Sequence, residues 1–291
     1  MNDSAPSFSV ELTEWQGVPA WVIRSEKATA VISSQGGQLL AWQPHGQAEV
    51  LWLSPITRSA PSAIRGGVPV CWPYFGKQGQ PADAVQHGHA RLAQWRWVDA
   101  VETDNGDVVV DLALPADPRT PLRLRQRLHI GAELGQTLIT DNPGDQAVEF
   151  TQALHSYFAV GDAMQLRLHG VDGLAYADKL DGGAYRQAGD WRLDEARDPG
   201  RCDRLYATDG GAFVLHDPAQ GRRIELDTEG SRTLVVWNPG AVGAAAMADV
   251  PDTAWREFVC IEVANAGDDV IVLAPGAQHR LGQRVRLLPL P

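Results

Sequence analysis

The sequence predicts an all-β fold, a large antiparallel sandwich with few short helices. Three observations carry this. Apolar residues recur at every second position rather than at helical spacing. Turn residues separate the short apolar runs, and helix signals are scarce.

The clearest strand is PLRLRQRLHI. It sets Leu122, Leu124, Leu128 and Ile130 against Arg123, Arg125, Arg127 and His129, one face buried and one solvated. Runs of the same kind precede it: AWVIRS, TAVISS, QLLAWQP, EVLWLS, WRWVDAV and DVVVDLAL. After it come QTLITD, VEFTQALHSYFAV, QLRLHG, AFVLHD, RRIELD, TLVVWN, FVCIEVA, DVIVLAP and QRVRLLP. Turns fall at Asp104-Asn105-Gly106, Asn142-Pro143-Gly144 and Asp181-Gly182-Gly183. Pro251–Phe258 reads as one short helix starting at Pro251 or Asp252. Ser54–Ala93 and Asp172–Ala207 show no strand pattern, and connections of that length tend to be functional. No linker-like composition break, low-complexity tract or repeat interrupts the chain, so residues 1–291 read as a single domain.

At 291 residues the chain can bury about three quarters of the surface its unfolded form exposes. Apolar residues make up 44% and charged residues 21%, ordinary for a globular protein. The 36 acids against 25 bases give a net charge of -11. That disfavours nucleic acid and anionic membranes, which need a basic face. An anionic ligand must then be drawn in by a local cluster of bases. Cys71, Cys202 and Cys260 are odd in number and widely spaced, so neither a disulfide framework nor a zinc knuckle is indicated, and a reducing cytoplasmic setting is expected. The opening MNDSAPSFSV lacks the features of a signal peptide. No apolar run approaches the ~20 residues that span a bilayer. Asn2-Asp3-Ser4 matches a glycosylation sequon, which has no meaning in the cytoplasm.

Arg65 is the lone charge in AIRGGVPVCWPYFG, where Gly66-Gly67 can turn backbone N–H groups toward an anion. Arg91 ends QHGHAR, also beside a glycine. Two such arginines can clamp a phosphate; equally, each can pair with one of the many carboxylates. His87 and His89, two apart, would point to one side of a strand, but without third and fourth ligands they make no metal site. His155 in TQALHSYFAV shares a predicted strand face with Thr151, Ala153 and Tyr157, while Phe150, Leu154 and Phe158 fill the other. It is either a proton donor on a cleft floor or a structural histidine. Glu262 sits in the apolar strand FVCIEVANA, where a carboxylate is costly unless paired or used as a base. Asp203 can accept from hydroxyls, or serve as a turn residue or a partner for Arg204. Trp72, Trp95, Trp237 and Tyr74 offer flat faces for a sugar ring if they are not core. The chain has no GxGxxG after a strand, no GxxxxGK[ST], no GxSxG and no HExxH, which argues against nucleotide-fold enzymes, elbow-type serine hydrolases and zinc proteases.

Taken together, SAIRGGVPVCWPYFG, QHGHARLAQW, ALHSYFAVGD, CDRLY, WNPG…AMAD and CIEVANA resemble the glucose-6-phosphate 1-epimerases, of the galactose-mutarotase-like superfamily. The resemblance runs from about Ala30 to the C-terminal APGAQHRL. It implies a β-supersandwich, a sugar groove on one sheet, a hexose 6-phosphate substrate and no cofactor; a monomer is expected. By its motifs His155 is the catalytic histidine and Glu262 the catalytic glutamate. Arg65, Gln86 and Arg91 match substrate and phosphate contacts, and Asp203 a sugar-binding aspartate. The implied reaction opens the hemiacetal, with Glu262 taking the C1 hydroxyl proton and His155 supplying one to the ring oxygen. Two departures stand out. His89 replaces the aromatic of the usual HGFAR, and AVGAAAMAD lacks the lysine usual before AMAD.

Overall fold

The computed structural model describes residues 7–58, 60–193 and 200–290; the Asn2-Asp3-Ser4 sequence lies outside them. Its body is two eight-stranded antiparallel sheets. One contains, in spatial order, Ala184–Arg186, Ala175–Asp178, Cys202–Ala207, Thr233–Asn238, Phe258–Asn265, Gln152–Leu154 and Val70–Cys71, with Tyr157–Ala159 also paired to Phe258–Asn265. The other runs from Arg167–His169 through Gly211–Asp217, Arg222–Glu229, Gln278–Pro289, Leu134–Asp141, Arg123–Ile130 and Val108–Ala113 to Arg96–Glu102. A four-stranded sheet of Ser9–Trp15, Val18–Arg24, Ala28–Ser33 and Leu39–Pro44 packs beside them. No helix among the described residues is long and apolar enough to cross a membrane.

The alternation of PLRLRQRLHI is realised residue by residue: in Arg123–Ile130 every second side chain is buried. One inward position is polar. Gln126 Nε2 donates to Gly37 O at 2.7 Å, and Gln126 Oε1 accepts from Gln136 Nε2 at 2.8 Å. Gln136 Oε1 accepts from Gln283 Nε2 at 2.9 Å, and Gln283 Oε1 accepts from Ser156 Oγ at 2.8 Å. All these side chains are buried. The chain of bonds satisfies polar groups that would each be costly alone, and it ends beside His155.

Several expectations are corrected. Among its described residues, Asp172–Ala207 contains three strands, Ala175–Asp178, Ala184–Arg186 and Cys202–Ala207. Their pattern escapes notice because inward positions are polar. Arg204 is buried under the Tyr176 ring at 4.7 Å and donates to Gln187 Oε1 at 3.0 Å. Among the described residues Asp178, at 3.8 Å, is a buried carboxylate neighbour of Arg204, whereas Asp203 is not paired with it. The expected helix at Pro251–Phe258 shrinks to a 3-10 turn at Ala254–Arg256, because Phe258 already belongs to a strand whose eight residues are all buried. The α-helix lies instead at Gly240–Ala245. EVLWLS contributes bridges at Leu51 and Leu53 rather than a strand. VEFTQALHSYFAV breaks into Val148–Phe150, Gln152–Leu154 and Tyr157–Ala159.

Candidate active site

His155 lies in the break between Gln152–Leu154 and Tyr157–Ala159, not inside a strand. Both short strands pair with Phe258–Asn265: Ala153 opposite Ala264 and Tyr157 opposite Cys260. That register leaves His155 level with Glu262. Nε2 of His155 comes within 3.4 Å of Oε1 of Glu262. Alternation puts Cys260, Glu262 and Ala264 on one face of their strand. The Tyr157 ring stacks on the His155 imidazole with centroids 4.9 Å apart and planes 9° apart. Trp237, half-buried on the neighbouring strand, meets His155 edge-on at 6.0 Å.

Glu262 is 1% exposed, and its Oε2 has no hydrogen-bond partner among the described residues; the same holds for His155 Nδ1. Burial pushes the Glu262 carboxyl well above its ordinary range; Asp203 adds to this and Lys179 opposes it. Burial also drives His155 well below the usual imidazole value, helped by His87, Arg65 and Arg91. Both groups therefore favour their uncharged forms, and the pair holds one proton between them. Asp203, half-buried on Cys202–Ala207, is paired in register with Trp237. Burial raises its pKa, with Lys179 lowering it and Asp178 raising it.

The other flank is cationic. Arg65 donates from Nε to Asp249 Oδ2 at 3.1 Å and from Nη1 to the Tyr157 hydroxyl at 2.9 Å. Burial opposes its charge, but Tyr157 and Asp249 outweigh this and raise its pKa. Of Gly66-Gly67, Gly67 does not present its N–H group as expected. Gly67 N–H donates to Trp52 O at 2.7 Å, and a Cβ on Gly67, at φ 61°, would lie 2.2 Å from Leu39 O. These glycines let backbones approach closely. Arg91 Nη2 donates to the Gln86 carbonyl at 2.8 Å, while Gln86 itself is exposed. His87, at φ 65°, accepts from Gly76 N–H at Nδ1 (3.2 Å) and sits 5.9 Å from the His155 ring. Burial first, then Arg91, Lys179 and Arg65, push His87 down to about 3.

His87 and His89 do not point to one side, because the loop turns at His87 and Gly88, both at positive φ. His89 is buried edge-on against Trp72 at 5.5 Å and lies 3.4 Å from Asp117. Trp72 and Trp95 are core, donating to Thr140 Oγ1 and Ala90 O. Of the proposed ring platforms, Trp237 reaches the His155 site.

Sequence reasoning missed Lys179. Its backbone N–H donates to Asp203 O at 2.9 Å, and its Nζ lies 5.1 Å over the Phe75 ring, whose edge contact at 5.3 Å is His87. It follows a strand unrecognised in the sequence, so no signal marked it. Asp249, the partner of Arg65, was legible only as part of AMAD.

Residues 19–286 match the family model described as aldose 1-epimerase. An Escherichia coli K12 protein, provisionally named glucose-6-phosphate 1-epimerase, is 34% identical over 91% of this chain and 89% of its own. A Cenchrus ciliaris protein of the same provisional name is 29% identical over 98% of this chain and 89% of its own. The crystal structure of a provisionally assigned mutarotase from Salmonella typhimurium superimposes with TM-score 0.87 at 29% identity, covering 100% of this chain and 96% of that one. A galactose mutarotase-like protein from Clostridium acetobutylicum, at 12% identity and TM-score 0.75, shares the fold over 97% of this chain and 98% of its own. The chain belongs to the aldose 1-epimerase family.

Proposed function

We propose that this protein interconverts the α and β anomers of an aldohexose 6-phosphate, with D-glucose 6-phosphate as its substrate. The observation that carries this is the 3.4 Å approach of His155 to Glu262, flanked by Arg65, Arg91 and Lys179. Mutarotation needs one proton removed from the C1 hydroxyl and one delivered to the ring oxygen. Moving the pair's single proton from carboxyl to imidazole gives carboxylate and imidazolium without changing net charge. Glu262 then takes the hydroxyl proton as His155 protonates the ring oxygen and the C1–O5 bond breaks. The pair is back in its uncharged form beside an open-chain aldehyde. Rotation about C1–C2 and reversal of the proton flow close the ring on its other face. Each positioned acid or base is worth about 10²–10⁴-fold, and the cycle closes by proton transfer alone.

Asp203 accepts from ring hydroxyls and Trp237 offers the ring an apolar face. Arg65 spends Nε and Nη1 on Asp249 and Tyr157, which aim its remaining donors; with Arg91 and Gln86 it takes the phosphate. The names of the relatives support a phosphorylated substrate. The protein acts as a monomer of one domain. Two-dimensional exchange NMR tests the reading: anomer exchange of glucose 6-phosphate rises well above the spontaneous rate, with kcat/KM at least ten-fold above that for glucose. Equal values would make it an epimerase of unphosphorylated aldoses. Binding without exchange would make it a carbohydrate-binding sandwich.

A further inference from the structure

Cys260 and Glu262 lie two apart on one strand face, and His155 stands opposite Glu262. The metal-ligating atoms of these three residues all fall within 4.8 Å of one another. A tetrahedral zinc ion with bonds of about 2.0–2.3 Å separates its donors by roughly 3.3–3.8 Å. Nε2 and Oε1 already stand 3.4 Å apart, so the trio closes on an ion with shifts of about an ångström. The second carboxylate oxygen, Glu262 Oε2, is buried without a hydrogen bond. A nitrogen, a sulfur and an oxygen suit zinc(II), whereas magnesium and calcium take oxygen ligands.

We infer that this cluster is a zinc(II) site, held by His155, Cys260 and Glu262, that switches the epimerase off. The Cys260 thiol and the His155–Glu262 pair each release a proton to solvent on loading. The dication then meets one thiolate and one carboxylate, which match its charge, while Arg65, Arg91 and Lys179 nearby oppose it. A fourth position is left for water. With both proton-transfer groups ligated, neither can serve the sugar. The switching rests on the acid–base reading proposed above; the binding of the ion does not.

The test starts from chelator-dialysed full-length protein. Micromolar zinc(II) is expected to lower the anomer-exchange rate at least ten-fold, with full recovery on adding chelator. Cys260→Ser should keep its turnover and need at least ten-fold more zinc. Cobalt(II) should give a thiolate-to-metal charge-transfer band in the wild type that the variant lacks. Equal inhibition of both proteins, or no cobalt band in the wild type, overturns the site. A cobalt band with turnover untouched leaves the ion site standing and sinks the acid–base reading instead. If Cys260→Ser does not fold, the wild-type cobalt band decides alone.

Discussion

His155, in the break between two short strands, faces Glu262 on the strand both pair with, Nε2 to Oε1 at 3.4 Å, with the Tyr157 ring stacked on the imidazole at 4.9 Å. Glu262→Gln keeps the volume and removes the base. Anomer exchange should fall about 10²–10⁴-fold, while affinity for glucose 6-phosphate stays within a few-fold. Exchange NMR and calorimetric titration separate the two effects. The folded-state pKa of Glu262 is raised, so its contribution to stability is lost as pH rises. At pH 8 the variant should therefore melt higher than wild type, by about 2–4 °C for each kcal/mol recovered. An unchanged or lower Tm would contradict the strained carboxyl.

Arg65→Ala should raise KM for glucose 6-phosphate by about ten- to a hundred-fold, the worth of one or two charge-assisted bonds. KM for glucose should rise far less. Because Asp249 loses its partner, the double variant Arg65→Ala/Asp249→Asn controls for the stranded carboxylate. Equal losses on both sugars would remove the phosphate role.

Ser156→Ala cuts the hydrogen-bonded chain at Gln283. The orphaned Gln283 oxygen is buried, so urea denaturation should report a loss of about 1–3 kcal/mol. Since Ser156 adjoins His155 and its carbonyl accepts from Ile261 N–H at 3.1 Å, kcat should drop with little change in KM. A variant with wild-type kcat would detach the glutamines from the site.

Acid should act through His87. Its folded pKa, about 3, lies below the ordinary imidazole value, because of burial and then Arg91, Lys179 and Arg65. The bond from Gly76 N–H to Nδ1 also requires the neutral ring. Above about pH 6.5 this contribution is complete. As pH falls toward 3 the unfolded chain gains a proton that the folded one refuses, at up to about 1.4 kcal/mol per pH unit. His87→Gln should flatten stability between pH 6.5 and 4, measured by urea titration. Parallel curves for the two proteins would rule His87 out.

Much of the sandwich was legible because its strands alternate openly, as in Arg123–Ile130. Legibility failed where buried positions carry polar side chains, as at Arg204 and Tyr206, which both donate to Gln187, just beyond the end of another strand. The site was legible as blocks of residues, not as geometry. Only the register 153–264 and 157–260 brings His155 to Glu262. Lys179 and the pairing of Arg65 with Asp249 depend on contacts between segments remote in the chain.

The line from Ser156 through Gln283, Gln136 and Gln126 to Gly37 has a mechanical consequence. Hydrocarbon layers are indifferent to slippage, since one methyl contact replaces another at little cost. Directional bonds are not: the hydrogen-bonded glutamines Gln126, Gln136 and Gln283 tie three strands of one sheet, and a slide of one ångström would break the bond from Ser156 to Gln283 that leads out of it. At the level of the imidazole the Ser156–Gln283 bond thus holds one large sheet to the segment that carries His155, and the site should meet its ligand already in working alignment.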